Sequence, residues 1–486
     1  MKKNEAKVFL IIFGIAIMST IFFLNPHYSI DTVEFLNNGY DTYIQSKFLV
    51  DGRIFSVILL RIVINIPMRY VIPILYVIGI FISSIAVMDI RRIIIQYTKT
   101  EEKINIIPTI ISYVIIFNFM YIDTFQFMEF PIISVSLLLY IKTAKLITEK
   151  KSRYILKSFL LALIAIFCYQ GTVTVLIVTT FVILIINNKR LNKIVILDML
   201  KLGTIILMTI LINYIFTEIV GGTSRIDLNI IKNAKNALIN LYMIIFNSNN
   251  HYPKYLHLIF ITIMVTYCFI KRIKVLNLIW IYSISIGINV ILLISTGNGI
   301  MNNTAQFGRV FFTIGAVIGY LYMYLWSEGD KIRKDSFMKI LLIIYWITIL
   351  ITYFQYTNLY MKGQAIDKYI ITNWNKVISK YEEESGNKIL KYAYRIDWNN
   401  YQRISTETIL NKKYDRLSYA TILSGRRTNE SITQSLFLLY TDRKIDRIPG
   451  EENLEEIYFK DTNFSQLKLF DERKFIFIGD TVNIIL

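Results

Sequence analysis

The chain has 486 residues, of which 54% are hydrophobic and 18% charged, with a mean hydropathy of +0.48. That balance excludes a large soluble enzyme and defines a polytopic membrane protein. The net charge of +18 would suit nucleic acid, but Lys and Arg fall mostly in short clusters between apolar runs. Such clusters are a topology signal, with attraction to anionic lipid headgroups as a secondary effect, so nucleic acid is excluded as a partner.

The first apolar run, 8–24, is long enough to span a bilayer and follows Lys2, Lys3 and Lys7. No small-residue cleavage pattern comes after it, so it reads as an anchor with a cytoplasmic N-terminus. The polar segment 25–53, NPHYSIDTVEFLNNGYDTYIQSKFLVDGR, then emerges on the outer face with Asp31, Glu34, Asp41, Asp51 and Arg53. Carboxylates at the mouth of a membrane bundle are costly unless water, a partner or a substrate uses them. Residues 54–67 are apolar but short and broken by Arg61 and Pro67, and they read as an interfacial helix. Were they to cross, the basic stretch with Arg91, Arg92, Lys99 and Lys103 would be forced outside.

From there the runs alternate. Residues 71–88 go inward, and 104–120 go out to the acidic loop YIDTFQFME with Asp123 and Glu129. Residues 130–147 return to Lys150, Lys151 and Arg153, and 155–187 hold two crossings joined by a tight outer turn at CYQGT. Residues 195–216 lead to a long loop, 218–255, whose amphipathic stretch NIIKNAKNALINLYMIIF lies in the interface. Further crossings are expected at 256–270, 275–295, 310–326 and 338–357, about 11 spans in all, with every strongly basic short loop inside. The chain thus divides into a transmembrane domain, 1–357, and a small outer α/β domain, 358–486. In the latter a helix is stopped by Gly386, and strand-like runs follow at KILKYAYRI and KFIFIGDTVNIIL.

Asp31 is the first candidate for a catalytic base, since it lies where a lipid headgroup and water both reach. Ser29, Asp31 and Thr32 are also helix-capping types, so Asp31 is either a base or a cap. Glu34, Asp123 and Glu129 are the other candidate catalytic carboxylates, with solvated turns as the alternative for the latter two. Arg53 and Arg309 are candidate donor phosphate ligands, because guanidinium binds phosphate in a bidentate way. Their alternatives are a turn with an interfacial anchor for Arg53 and a snorkelling cation for Arg309. Gln170 and Tyr28 are candidates for sugar hydroxyls, whereas Tyr169 reads as an aromatic-belt residue.

A divalent metal is left open but not indicated: His27, His251 and His257 are far apart, and the acidic residues show no compact ligand spacing. Cys168 and Cys268 lie in apolar runs and indicate neither a disulfide framework nor a zinc site. Without a P-loop or a dinucleotide glycine motif, a cytosolic nucleotide-driven reaction is excluded.

Together, NPHYSIDT, the later DGR and the CYQG turn resemble the bacterial glucosyl transferases of the serotype-converting Gtr type II family, in the polytopic GT-C class. The resemblance covers about residues 8–357 and extends to the outer C-terminal domain. It implies an outer-face glycosyltransferase of the bacterial plasma membrane, inverting, with Asp31 as base and a polyprenyl-phosphate sugar, glucose by the family name, as donor. It implies a cell-surface glycan as acceptor, and a donor-synthesising glycosyltransferase and a flippase as partners. The first loop here has Thr32 after Asp31 instead of a paired carboxylate, which leaves the second acid open among Glu34, Asp123 and Glu129. The competing readings are a transporter or flippase of lipid-linked glycans and a non-catalytic envelope polysaccharide assembly protein. Transporters favour mid-bilayer charges and internal repeats, and neither is evident.

Overall fold

A computed structural model describes residues 3–29, 32, 35, 40, 41, 44, 51–98, 106–220, 230–246, 255–295, 311–395, 430–447 and 472–485. The chain forms two units: Met1–Pro26 with Ile44–Tyr356, and His27–Tyr43 with Thr357–Leu486.

The first unit is helical. Its elements are α1 (Lys3–Ser19), α2 (Ile54–Val63), α3 (Met68–Thr98), α4 (Ile106–Ile116), α5 (Phe130–Glu149), α6 (Tyr154–Cys168), α7 (Val173–Asn188), α8 (Lys193–Ile219), α9 (Ile230–Phe246), α10 (Leu256–Ile270), α11 (Val275–Ser295) and α12 (Phe312–Ser327). A long helix, α13 (Ser336–Ser385), begins in this unit and ends in the other. Among the described residues six helices are long and apolar enough to cross a membrane: α3, α5, α7 with the turn before it, α8, α11 and α13. The protein is therefore a helical membrane protein with a small C-terminal sheet. At 10 residues α2 is only about 15 Å long, half of what a crossing needs. The amphipathic stretch of the long loop forms α9.

Basic loops end these helices in a specific way. Lys150 (φ 51°) and Lys189 (φ 60°) adopt the left-handed conformation, and each donates its amide N–H back four residues, to Leu146 (3.1 Å) and Ile185 (2.8 Å). That closes the last turn and places a cation at the negative end of the helix dipole. Asn192 then starts α8 by accepting the Val195 N–H at 3.0 Å.

Small residues bring the helices together. A Cβ on Gly319 of α12 would lie 2.6 Å from the Ile115 side chain and 3.0 Å from its backbone nitrogen, so α4 and α12 pack nearly backbone to backbone. All of α12 is buried. Its hydroxyls find partners on neighbouring helices: Tyr320 with Thr179 (2.8 Å), Tyr324 with Asn277 (2.9 Å) and Thr313 with Asn289 (2.6 Å). Without water inside the bundle, such groups need partners within the protein. Between α4 and α5 a 3-10 turn, Tyr121–Thr124, is held by the Tyr121 hydroxyl, which bonds Ser83 (2.8 Å) and Ser134 (3.0 Å). Phe125 packs on Phe130 at 4.8 Å between ring centroids.

In the second unit the charged end of α13 stops where Gly386 takes φ +73° and donates its N–H to the Glu382 carbonyl at 3.0 Å. Then come β1 (Lys391–Arg395), α14 (Glu430–Thr441), β2 (Asp446–Arg447), β3 (Phe475–Ile478) and β4 (Thr481–Ile485). The sheet order is β2-β1-β4-β3, with β1 parallel to both β2 and β4, and with β3 and β4 an antiparallel hairpin. Trp374 of α13, Phe437 of α14 and Tyr392 of β1 form its core, and Phe477 stacks on Tyr381 at 3.9 Å. Arg443 forks onto the Glu382 carboxylate with two 2.8 Å hydrogen bonds.

Candidate functional site

The DGR string forms a turn that only glycine allows. Gly52 has φ +62°, and a Cβ there would come within 2.8 Å of Asn213 Nδ2 and Thr217 Cγ2. Amide side chains clamp the backbone of this turn. Gln170 Nε2 donates to the Asp51 carbonyl and, at 3.4 Å, to Asn213 Oδ1, while Asn213 Nδ2 donates to the Gly52 carbonyl at 3.3 Å. Gln170 is itself placed by the α6–α7 turn, which Ser136 of α5 secures through the Ala165 and Tyr169 carbonyls, both at 2.9 Å.

With the turn fixed, Arg53 stands at the N-terminus of α2 and its guanidinium enters a buried ionic cluster. Nη2 is 3.3 Å from Asp51 Oδ2, and Nη1 is 3.7 Å from Glu129 Oε1. The Arg53 Cζ lies 4.8 Å from the centroid of the Tyr169 ring, a cation–π contact. The side chains of Asp51, Glu129 and Arg53 are 2%, 3% and 10% exposed, which places two carboxylates and one guanidinium out of water. Burial of charge is tolerated only with partners nearby. Both contacts are longer than the roughly 2.7–2.9 Å of a closed charge-assisted hydrogen bond. Among the described residues no hydrogen bond reaches Glu129 Oε1. Glu129 precedes α5, and its carbonyl accepts the Ile132 and Ile133 amides at 2.9 and 3.0 Å. Its carboxylate therefore sits at the positive end of a spanning helix.

Of the residues expected from the sequence, Arg53, Glu129 and Gln170 come together here. Asp123 is buried on the 3-10 turn Tyr121–Thr124, where its carbonyl accepts from Gln126 at 3.1 Å. Tyr28 belongs to the second unit and is buried there, with its backbone held by Gln364 and Tyr360. Ser29 Oγ accepts the Thr32 N–H at 3.2 Å. Asp31, Glu34 and Arg309 lie outside the described residues. Three members of the cluster were not among the expected site residues. Asp51 stands in the DGR string itself, Tyr169 read as a belt residue, and Asn213 carries the one usable signal, an amide inside an apolar run.

Among the described residues no group of three or more His, Cys, Asp or Glu is arranged to hold a metal ion. The fold and this cluster define a class: a helical membrane protein with a buried, glycine-dependent ionic site. No family model matches the chain, and no curated protein matches it either.

Proposed function

We propose that the protein is a GT-C-type membrane glycosyltransferase that moves a sugar, glucose by resemblance, from a polyprenyl-phosphate donor to a cell-surface glycan. The observation that carries this reading is the convergence of DGR and the CYQG turn, two of the strings on which the resemblance rests. They are remote in sequence, yet Gln170 holds the backbone of the DGR turn and Tyr169 faces Arg53. In this reading about 11 spans place the N-terminus in the cytoplasm and the C-terminal unit outside.

The chemistry needs a base, a cation and acceptors for sugar hydroxyls. Asp31 takes the proton of the acceptor hydroxyl as its oxygen attacks the anomeric carbon; the bond from that carbon to the phosphate oxygen breaks, polyprenyl phosphate leaves, and the configuration inverts. Arg53 contacts the donor phosphate by exchanging a carboxylate for it, which its long contacts to Asp51 and Glu129 make less costly than breaking a closed fork would be. Glu129 Oε1 is a buried acceptor suited to a sugar hydroxyl. Arg309 is the second candidate for the phosphate.

A buried ionic cluster in a helical bundle also suits a lipid-linked glycan transporter, which is the second reading. One experiment separates them. Purified full-length protein in vesicles is given radiolabelled polyprenyl-phosphate glucose and cell-surface glycan, and label is followed into the polymer. Transfer that Asp31→Asn abolishes supports the enzyme. Label that crosses the vesicle membrane with the donor intact supports the transporter and overturns the proposal.

A further inference from the structure

The segment after the first helix is polar and reads as a loop, yet three consecutive residues of it, His27, Tyr28 and Ser29, are buried in the second unit. Their backbone is held as a strand would be. Gln364 Oε1 accepts the Tyr28 N–H at 3.2 Å, and Gln364 Nε2 donates to the Tyr28 carbonyl at 2.5 Å. The carboxamide thus pairs both polar groups of one peptide residue, as a neighbouring strand does. The Tyr360 hydroxyl donates to the same carbonyl at 2.8 Å. Tyr360 and Gln364 lie one turn apart on α13, so they present one face to the segment. Both are buried, and the His27 ring meets Tyr360 edge-on at 6.5 Å. From Tyr28 the constraint passes to Ser29, whose hydroxyl takes the Thr32 amide and bonds the Thr32 hydroxyl at 2.9 Å. Asp31 lies between those two anchored residues in the chain.

We propose that Gln364, assisted by Tyr360, is a positioning residue: it clamps the Tyr28 backbone, three residues before the candidate base Asp31. The catalytic half of this inference rests on the glycosyl-transfer reading; the clamp itself does not. Tethering of the segment alone would need only buried side chains. Pairing of both backbone groups of Tyr28 fixes the backbone of a residue three positions before Asp31 in the chain.

The test uses the full-length chain and two readouts. Amide hydrogen exchange is followed in the peptide 25–36 of the wild type, of Gln364→Met, which keeps bulk and loses both hydrogen bonds, and of Gln364→Met/Tyr360→Phe. The peptide should exchange at least about tenfold faster in the double variant, while 68–98 and 475–485 keep their protection. Unchanged exchange in 25–36 overturns the clamp. In the transfer assay kcat should fall at least about tenfold with donor KM held within about twofold, the pattern of a misplaced base and not of lost binding. Faster exchange with normal kcat overturns the positioning role. Should the double variant fail to reach the membrane, Tyr360→Phe removes a single donor and is read the same way, with smaller effects in the same direction. A wild-type chain that transfers no sugar refutes the transferase reading and with it the catalytic half, and the exchange arm alone then decides the clamp.

Discussion

The Arg53 guanidinium stands 3.7 Å from the Glu129 carboxylate and joins the turn before α2 to the start of α5 inside the bundle. Asp51 holds the other side of the guanidinium at 3.3 Å. The burial of these charges depends in part on their contacts with one another.

Removal of the guanidinium therefore exposes two buried carboxylates to each other. Arg53→Ala should cost on the order of 3–5 kcal/mol. Arg53→Ala/Glu129→Gln should recover part of that loss, because one of the uncompensated charges is gone. Thermal unfolding midpoints in detergent measure both; equal midpoints for wild type and Arg53→Ala would show that the cluster holds nothing together.

Gly52 is the backbone requirement of the same site. Gly52→Ala forces a Cβ into Asn213 and Thr217 at 2.8 Å and keeps a left-handed φ, for a cost of about 1–3 kcal/mol. Gly52→Ala/Asn213→Ala relieves the contact with Asn213 but not the φ, so transfer activity should return only in part. Full recovery in the double variant would mean that φ is not a constraint.

Capping and chemistry are separable in the first loop. Ser29→Ala removes the acceptor of the Thr32 amide and should cost about 1 kcal/mol of local stability, with transfer lowered by less than the loss expected for Asp31→Asn. Asp31→Asn should lower transfer by about 100-fold or more at unchanged membrane abundance. Near-normal transfer by Asp31→Asn would move the base to Glu34, Asp123 or Glu129.

Acid should act on the second unit through Glu382, which lies in the charged end of α13 beyond its apolar stretch. The two Arg443 hydrogen bonds, helped by the Ile389 amide, hold this carboxyl below its ordinary value. A depressed folded value means stability that is full above about pH 4.3 and is lost as pH falls through the folded value. Unfolding midpoints taken from pH 7 down to pH 3 should drop at the acid end. Glu382→Gln should begin lower and show a shallower drop; an identical acid limb in both proteins would rule the pair out as its source.

Topology has its own test. Ser385→Cys, at the exposed end of α13, should react with a membrane-impermeant thiol reagent on intact cells if the proposed orientation, with the basic short loops inside, holds. No labelling of a folded protein would reverse the orientation.

Local features were legible from residue order alone. Gly386 ends a helix, KFIFIGDTVNIIL carries strand, and CYQGT is a tight turn between two apolar helices. Each depends on neighbours a few residues away, through backbone conformation and hydrophobic period. The apolarity of the long helices likewise follows from composition. What only the tertiary structure decided is which polar residues meet. Asp51, Glu129 and Asn213 are separate acids and amides in sequence, and they become one site because α2, α5, α6 and α8 converge on the DGR turn. The full burial of α12 was equally hidden, since a lipid-facing helix and a bundle-core helix are both apolar. The hold of Gln364 on the Tyr28 backbone within the C-terminal unit was hidden too, because a single amide leaves no periodic trace. Hydrogen bonds between distant segments have no sequence period, so packing alone selects them.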